Sequence, residues 1–466
     1  MTASHRTALR STAQAPFWLD RPEQHPEPLP RQIGDTRTDL AVVGGGYTGL
    51  WTALLAKQRD PARDVLVLEQ GTCGHAASGR NGGFCSPSLT HGLANGLQRW
   101  PDEIDKLQRL GVQNLDAFER DLDTHGVDCG FKRTGKVSVA ATPWQTQALR
   151  ASVPTANRHG EKAEFLEHGA LRAYIDSPLW SAGVWQPDYA LLDPAQLVWG
   201  LRRACLAAGV RIVERTEVTA IDTKPTDLIR LTTPYGVVGA RRVALATNVF
   251  PPLLRRLGLS MVPVYDYALT TEPLTDEQLA SIGWTGEHGV TDAGNQFHYV
   301  RKTADSRILW GGYDAIYHYG SKVDEALTQR PETFDVLAEQ FAATFPSLAD
   351  VAFSHAWGGV IDSTTRFCMF AGTAAAGRVG YALGFTGLGV GATRFGAEVV
   401  LDLLAGERTE RTELAMIKHK PVPFPPEPAR WIGIQATRWS MAREDAHGGR
   451  NVWLRTLDRL GLGFDS

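Results

Sequence analysis

The amino-acid sequence predicts an α/β fold in which a parallel sheet near the front of the chain is joined to a discontinuous α+β domain on a mostly antiparallel sheet. Three observations predict it. A strand–glycine–helix–strand unit lies at residues 39–69, short apolar runs follow at intervals through the middle, and a second glycine-rich turn opens a helix at 384–404.

The run Asp39-Leu-Ala-Val-Val43 is almost wholly apolar and ends at glycines, the pattern of a strand buried on both faces. A helix is predicted from Tyr47 to Lys57, and Asp64-Val-Leu-Val-Leu-Glu69 repeats the strand pattern. Next, Ile104, Leu107, Leu110, Leu115 and Phe118 have helical spacing within 101–123, while 131–140 alternates as a strand. Asp193-Pro-Ala-Gln opens a helix to about Ala208, with Asp193 as N-cap. Further strands are predicted at 210–214, 229–233, 242–246, 265–271 and 307–311. The division expected is an N-terminal arm (1–37), a dinucleotide half (38–95, 185–255, 355–410), a substrate half (96–184, 256–354) and a C-terminal extension (411–466). Prolines 16, 22, 26, 28 and 30 should hold the arm extended over the surface. Pro421–Pro428 leads to a last amphipathic helix near 430–444 bearing Trp431, Ile434, Arg438, Trp439 and Arg443, expected to dock on its own chain rather than on a membrane.

The chain has 466 residues, of which 43% are hydrophobic, and a formal net charge of -3, so it offers no field to gather nucleic acid. Residues 1–14 lack a secretory apolar run, and no stretch approaches a membrane span, so a cytoplasmic location is expected. Cys73, Cys85, Cys129, Cys205 and Cys368 are scattered and form no C-x-x-C pair, which predicts buried thiols and no metal site.

Gly44-Gly45-Gly46-Tyr47-Thr48-Gly49 fits G-x-G-x-x-G between a strand and a helix, the context that makes the motif a Rossmann-type dinucleotide site. Gly44 permits the turn, Gly46 lets the backbone approach a pyrophosphate, and Gly49 lets helix and sheet touch. Glu69, closing the second strand, is placed to accept hydrogen bonds from a ribose diol. The motif alone does not separate NAD from FAD. The loop Gly74-His-Ala-Ala-Ser-Gly-Arg-Asn-Gly-Gly83 and the turn Gly384-Phe-Thr-Gly-Leu-Gly-Val390 point to FAD, since two distant segments converging on one extended cofactor suit a flavin dinucleotide better. A helix start at the second turn stabilises negative charge on a reduced flavin.

These segments, with Ala246-Thr-Asn248, Thr271-Glu-Pro273, Asp305 to Gly312 and His355-Ala-Trp-Gly-Gly359, resemble the D-amino acid oxidase superfamily, and within it γ-glutamylputrescine oxidase-like proteins. The resemblance implies a discontinuous Rossmann-type FAD domain and FAD contacts from Gly44, Gly46, Gly49, Glu69, Ser78, Arg80, Asn81, Gly82, Gly83, Val218, Gly387, Gly389 and Val390. Their neighbours Tyr47, Thr48, Gln70, Gly79, Thr247, Gly384 and Leu388 are assigned to the same site. The covalent histidine of some relatives falls by spacing near Asn81 rather than His75, so FAD is expected to be held non-covalently.

The chemistry expected is oxidation of a small amine, with oxygen or another acceptor taking the electrons. Only a neutral amine can give up hydride, and an apolar pocket lowers an amine's pKa. Tyr265, Tyr267, Tyr299, Trp310, Trp357 and Phe385 are candidates for such walls, or plain core. The arginine that grips a carboxylate in amino-acid oxidases is replaced here by Val360 or a neighbour, which argues against a free amino acid held in the usual way. Asp362 is read as a cation-binding or a buried structural carboxylate. His298 and His355 touch flavin or substrate, or are structural. Arg301 meets an anionic substrate group or a surface acid. The catalytic candidates are therefore Tyr267, His298, Trp357, Asp362 and Phe385. Leu309-Trp310-Gly311 offers no lysine of the oxygen-activating kind, which leaves oxidase and dehydrogenase both open. An alternative is a biosynthetic flavoenzyme acting on another amino-bearing metabolite.

Overall fold

In the computed structural model, residues 8–462 are described; the first residues of the arm and the last four of the C-terminal extension lie outside them. The strand Thr36–Val43 pairs in parallel with Val65–Leu68 on one side and Gly236–Leu245 on the other. Arg211–Val213 and Val379–Leu383 extend the parallel row, and three antiparallel strands complete an eight-stranded sheet. The helix Tyr47–Arg59 buries Tyr47 and the eight consecutive residues from Gly49 to Ala56, because it lies between the sheet and the helices Pro194–Ala207 and Gly389–Ala405. A helix enclosed on all sides has no polar face to keep in water, hence its almost uniformly apolar middle.

A second eight-stranded sheet runs in the order Phe353–Ser363, Val262–Thr271, Ile308–Gly312, His298–Lys302, Gly289–Asp292, Lys136–Ala140, Ala182–Gln186, Glu164–Glu167. All of its pairings are antiparallel except that of Gly289–Asp292 with Lys136–Ala140. The Phe353–Ser363 strand thus belongs to this sheet. The back of the sheet is sealed by Phe334, Leu337, Phe341 and Phe345 around the helix Pro331–Thr344. The expected strand at 131–140 begins only at Lys136, since Gly135 has φ +73° and breaks the extended run.

The arm does more than lie on the surface. Phe17 and Trp18 are buried in the larger core, Ala13 bridges to His355, and Arg21 pairs with Asp193 at 2.5 Å. All five cysteines are free and buried. The last helices, Ala429–His447 and Val452–Arg459, pack on one another and on the second sheet's loops: Asp445 accepts from the amides of Asn295 and Gln296 at 2.7 and 2.9 Å, and Arg438 pairs with Asp314 at 2.5 Å. No helix among the described residues is long and apolar enough to cross a membrane.

Candidate active site

Between the two sheets runs one continuous cavity of about 1090 Å³, beyond the usual size of a pocket for one small ligand and able to hold a dinucleotide with a substrate beside it. One arm of it is the glycine turn. Gly44 has φ +111°, and a Cβ there would lie 2.4 Å from Ala246 O; a Cβ on Gly49 would lie 1.8 Å from Gly44 O. Glycine is thus required at both positions by backbone contact. Gly49 serves helix–sheet packing and does not itself reach the cavity. Gly46 N-caps the Tyr47–Arg59 helix without a side-chain cap, and its missing Cβ leaves the cavity open beside Ser78 Oγ, which accepts from the Tyr47 amide at 2.9 Å. First-turn amides lack intrahelical acceptors and carry the positive end of the helix dipole, the donor set a pyrophosphate needs.

Glu69 is buried, and its two oxygens accept from Gly45 N at 2.6 Å and Gly71 N at 2.7 Å. It therefore shapes the turn, while a carboxylate with about four lone-pair positions keeps capacity toward the cavity it borders. Gln70, Val218 and Thr247 line the same arm. In the loop that follows, Asn81 Oδ1 accepts from Gly83 N at 2.9 Å, and Arg80 pairs with Glu325 at 2.7 Å. Thr48, Gly82, Gly83, Gly387, Leu388, Gly389 and Val390 also face the cavity. Gly79 and Gly384 do not: Gly79 packs against Leu19 and Gly74 O, and Gly384 against Thr364. The residues present fit an FAD: an open helix start, a buried acid beside it, and a second glycine turn with free space at Gly387.

The other arm has the second sheet as its floor. Val262, Val264, Asp266 and Ala268 alternate onto the cavity, as strand geometry requires. Tyr299 stands two strands away, and its hydroxyl donates to Asp266 Oδ2 at 2.8 Å. The ring crosses the intervening strand over Gly311, where a Cβ would lie 2.4 Å from it, and under Gly82, where a Cβ would lie 2.7 Å away. Burial pushes the Asp266 carboxyl up to about 6, and burial with the neighbouring Asp266 charge holds the Tyr299 hydroxyl protonated well past its ordinary range. This pair was not among the sequence's site candidates, which named Tyr299 only as a wall and omitted Asp266. Two signals carried it: a lone acid inside an apolar strand, and a Gly-Gly pair inside another, which marks close approach.

The other candidates separate cleanly. Trp357 and Phe385 line the cavity, and Trp357 Nε1 donates to Arg80 O at 2.9 Å. Tyr267 borders the cavity, but its hydroxyl donates to Leu327 O at 2.8 Å. Asp362 accepts from Gly384 N at 2.5 Å and Phe385 N at 3.1 Å. It ties the floor to the second glycine turn and also borders the cavity.

His298 does not reach the cavity. It lies on the other face of the sheet between Asp292 and Gln340, at 2.6 and 2.9 Å, stacked on Tyr313. His355 serves the arm through Asp20 and Ser354. Arg301 meets neither substrate nor a surface acid: it is buried, donates to Leu192 O at 2.5 Å and to Gly83 O at 3.4 Å, and fixes the loop carbonyls under Trp18. Tyr265 and Trp310 face the back of the sheet.

A parallel sheet with an open helix start, joined through one cavity to an antiparallel floor, defines a dinucleotide-dependent enzyme of two halves. The chain belongs to the DAO family of FAD-dependent oxidoreductases, whose family model matches residues 39–403. It is 28% identical to the γ-glutamylputrescine oxidoreductase of Escherichia coli K12 over 406 residues, 83% of this chain and 88% of that one. It is 23% identical to a probable oxidoreductase OrdL of Haemophilus influenzae over 79% of this chain and 83% of the other. Among solved structures it resembles glycine oxidase from Geobacillus kaustophilus, with TM-score 0.68, 20% identity, and 82% of this chain and 99% of that one covered.

Proposed function

We propose that the chain oxidises a small amine at the C–H bond next to nitrogen, with FAD held non-covalently, giving an imine that water hydrolyses to a carbonyl compound. The observation that carries this reading is the Asp266–Tyr299 pair on the cavity floor; the resemblance adds that Val360 or a neighbour stands where an amino-acid oxidase would place its carboxylate-binding arginine. The names of two relatives, γ-glutamylputrescine oxidoreductase and the β subunit of sarcosine oxidase, support a nitrogen-bearing substrate.

FAD, when bound, supplies a hydride acceptor at its ring. The residues assigned to it are Gly44, Gly46, Tyr47 and Thr48 at the first turn, the acid Glu69, Ser78 and Arg80 to Gly83 in the loop, and the second turn from Gly387 to Val390. What the chain's own side chains do follows from charge and solvent. Asp266, as carboxylate, attracts the substrate ammonium. Trp357, Phe385 and Tyr299 exclude water and disfavour that charge, which narrows the gap between an amine pKa near ~10 and the carboxyl near 6. Asp266 Oδ then takes the ammonium proton, leaving the nitrogen lone pair free to push as the adjacent C–H departs with its electron pair. Tyr299 keeps Asp266 oriented by donating to it. The electrons pass on to oxygen or another acceptor.

The test is anaerobic mixing of the purified yellow protein with primary and secondary amines and, separately, with free amino acids. Bleaching of the oxidised flavin band by amines is the expected result. Bleaching by amino acids alone, or by neither set, overturns the proposal.

A further inference from the structure

We propose that Lys136 is an anion-reading subsite of the same cavity, and that the substrate is an elongated amine carrying a carboxylate at the end remote from the oxidised nitrogen. This rests on the amine reading above and specifies its substrate class.

Four cations line the cavity among the described residues: Arg80, Lys136, Arg430 and Arg438. Arg80 is paired with Glu325, Arg438 with Asp314, and Arg430 donates to Pro425 O and Ser321 Oγ. Lys136 alone among them has no hydrogen bond and no acid within ion-pairing distance; its ammonium lies 4.4 Å from the centroid of the Tyr189 ring. Glu161 acts on it only through space, and burial lowers its pKa to about 8, so it is still predominantly cationic at neutral pH. A half-buried ammonium over an aromatic face, with no carboxylate in ion-pairing distance, is costly to leave unpaired. A ligand carboxylate would offset that cost. Ser86 and Tyr189, which share a hydrogen bond beside it, give the subsite neutral donors, and His91, also on this wall, is held uncharged by burial.

The sheet fixes where this subsite lies relative to the amine. Asp266 is on Val262–Thr271 and Lys136 on Lys136–Ala140, four strand steps apart. At ~4.8 Å per step that is roughly 19 Å along the floor, shortened by the inward reach of both side chains. A substrate that satisfies both must be extended, with its charges at opposite ends. An α-amino acid, whose charges are adjacent, cannot span them.

The experiment compares ω-amino acids of increasing chain length with the ω-amino amides of the same length, by anaerobic flavin reduction and steady-state kinetics. The wild-type holoenzyme is expected to favour the acids, most strongly at the longer lengths, through a lower KM. In Lys136→Gln the KM for the acids rises tenfold or more while that for the amides moves less than twofold, and Lys136→Arg recovers most of the discrimination. Equal effects on acids and amides, or loss of FAD from Lys136→Gln, would overturn the subsite. Because the amides lack the carboxylate, their reduction of the flavin tests amine oxidation by itself. If they bleach it and the acids hold no advantage, the subsite fails and the amine reading stands; if neither class bleaches it, the amine reading fails.

Discussion

Asp266 and Asp362 stand on neighbouring strands and do opposite work. Asp362 spends its oxygens on two backbone amides of the second glycine turn, so its removal is a stability event. Asp362→Ala should lower unfolding free energy by about 2–4 kcal/mol, the cost of stranding two buried donors, read as a shift in the denaturant midpoint. The Asp266 carboxylate accepts from the Tyr299 hydroxyl and has a face on the cavity. Since burial raises its carboxyl to about 6, kcat/KM for an amine should climb as the pH passes through 6 and the carboxylate forms. Asp266→Asn should lower kcat/KM a hundredfold or more and flatten that limb, while Tyr299→Phe shifts it. A pH–rate profile of the three proteins checks this. The sign for stability is the reverse. The unfolded chain releases this proton near its ordinary 3.8, so between about 4 and 6 the folded state binds more protons, and the group's contribution falls as pH rises.

At the scale of elements, the first helix start is the part that was plainest in the sequence, because backbone contact leaves no alternative to glycine at 44 and 49. Gly46→Ala places a Cβ 2.9 Å from Ser78 Oγ and into the cavity. Affinity for FAD should drop about tenfold, or ~1.4 kcal/mol, in a fluorescence titration of the flavin-free protein, while the fold persists. Binding unchanged by this substitution would separate the glycine turn from the cofactor. The second sheet was legible only in part. Val262–Thr271 and Ile308–Gly312 were near their expected positions, but Glu164–Glu167, Ala182–Gln186, Gly289–Asp292 and Phe353–Ser363 were not foreseen. Their residues mix apolar and polar types without a clean period of two, so they are strands because of the neighbours they pair with. The same applies to the site. Asp266 and Tyr299 are 33 positions apart, and what unites them is the strand order, which no local pattern encodes. His298 was misplaced for the complementary reason: alternation sends Tyr299 to the cavity and its neighbour to the back, and the starting face is set by pairing. Arg301 shares the Tyr299 face but is taken up by the Gly83 and Leu192 carbonyls.

For the whole molecule, the C-terminal extension completes the enclosure. Gly433, Ile434, Thr437, Arg438 and Met441 of the Ala429–His447 helix face the cavity, while Trp439 and Ile432 remain exposed on its outer side. The family match ends at 403, before this helix begins, so the wall it adds lies outside the matched segment. A chain ending at Lys420 should still bind FAD, because the glycine turns lie elsewhere, but its KM for amines should rise at least tenfold. Asp445→Ala, which frees the amides of Asn295 and Gln296, should move KM in the same direction by a smaller factor. Unchanged kinetics in both would remove the helix from the active site.

On the proposed function, one cavity brings a flavin and an amine together over Asp266. A crystal structure of the FAD-bound protein with an unreactive amine analogue tests that most directly. The expected result is the adenosine half beside Glu69 and Val218, the ring between Gly82 and the floor, and the amine nitrogen within hydrogen-bonding distance of Asp266. An amine held away from Asp266, or a flavin ring that does not border the Tyr299 wall, would contradict it.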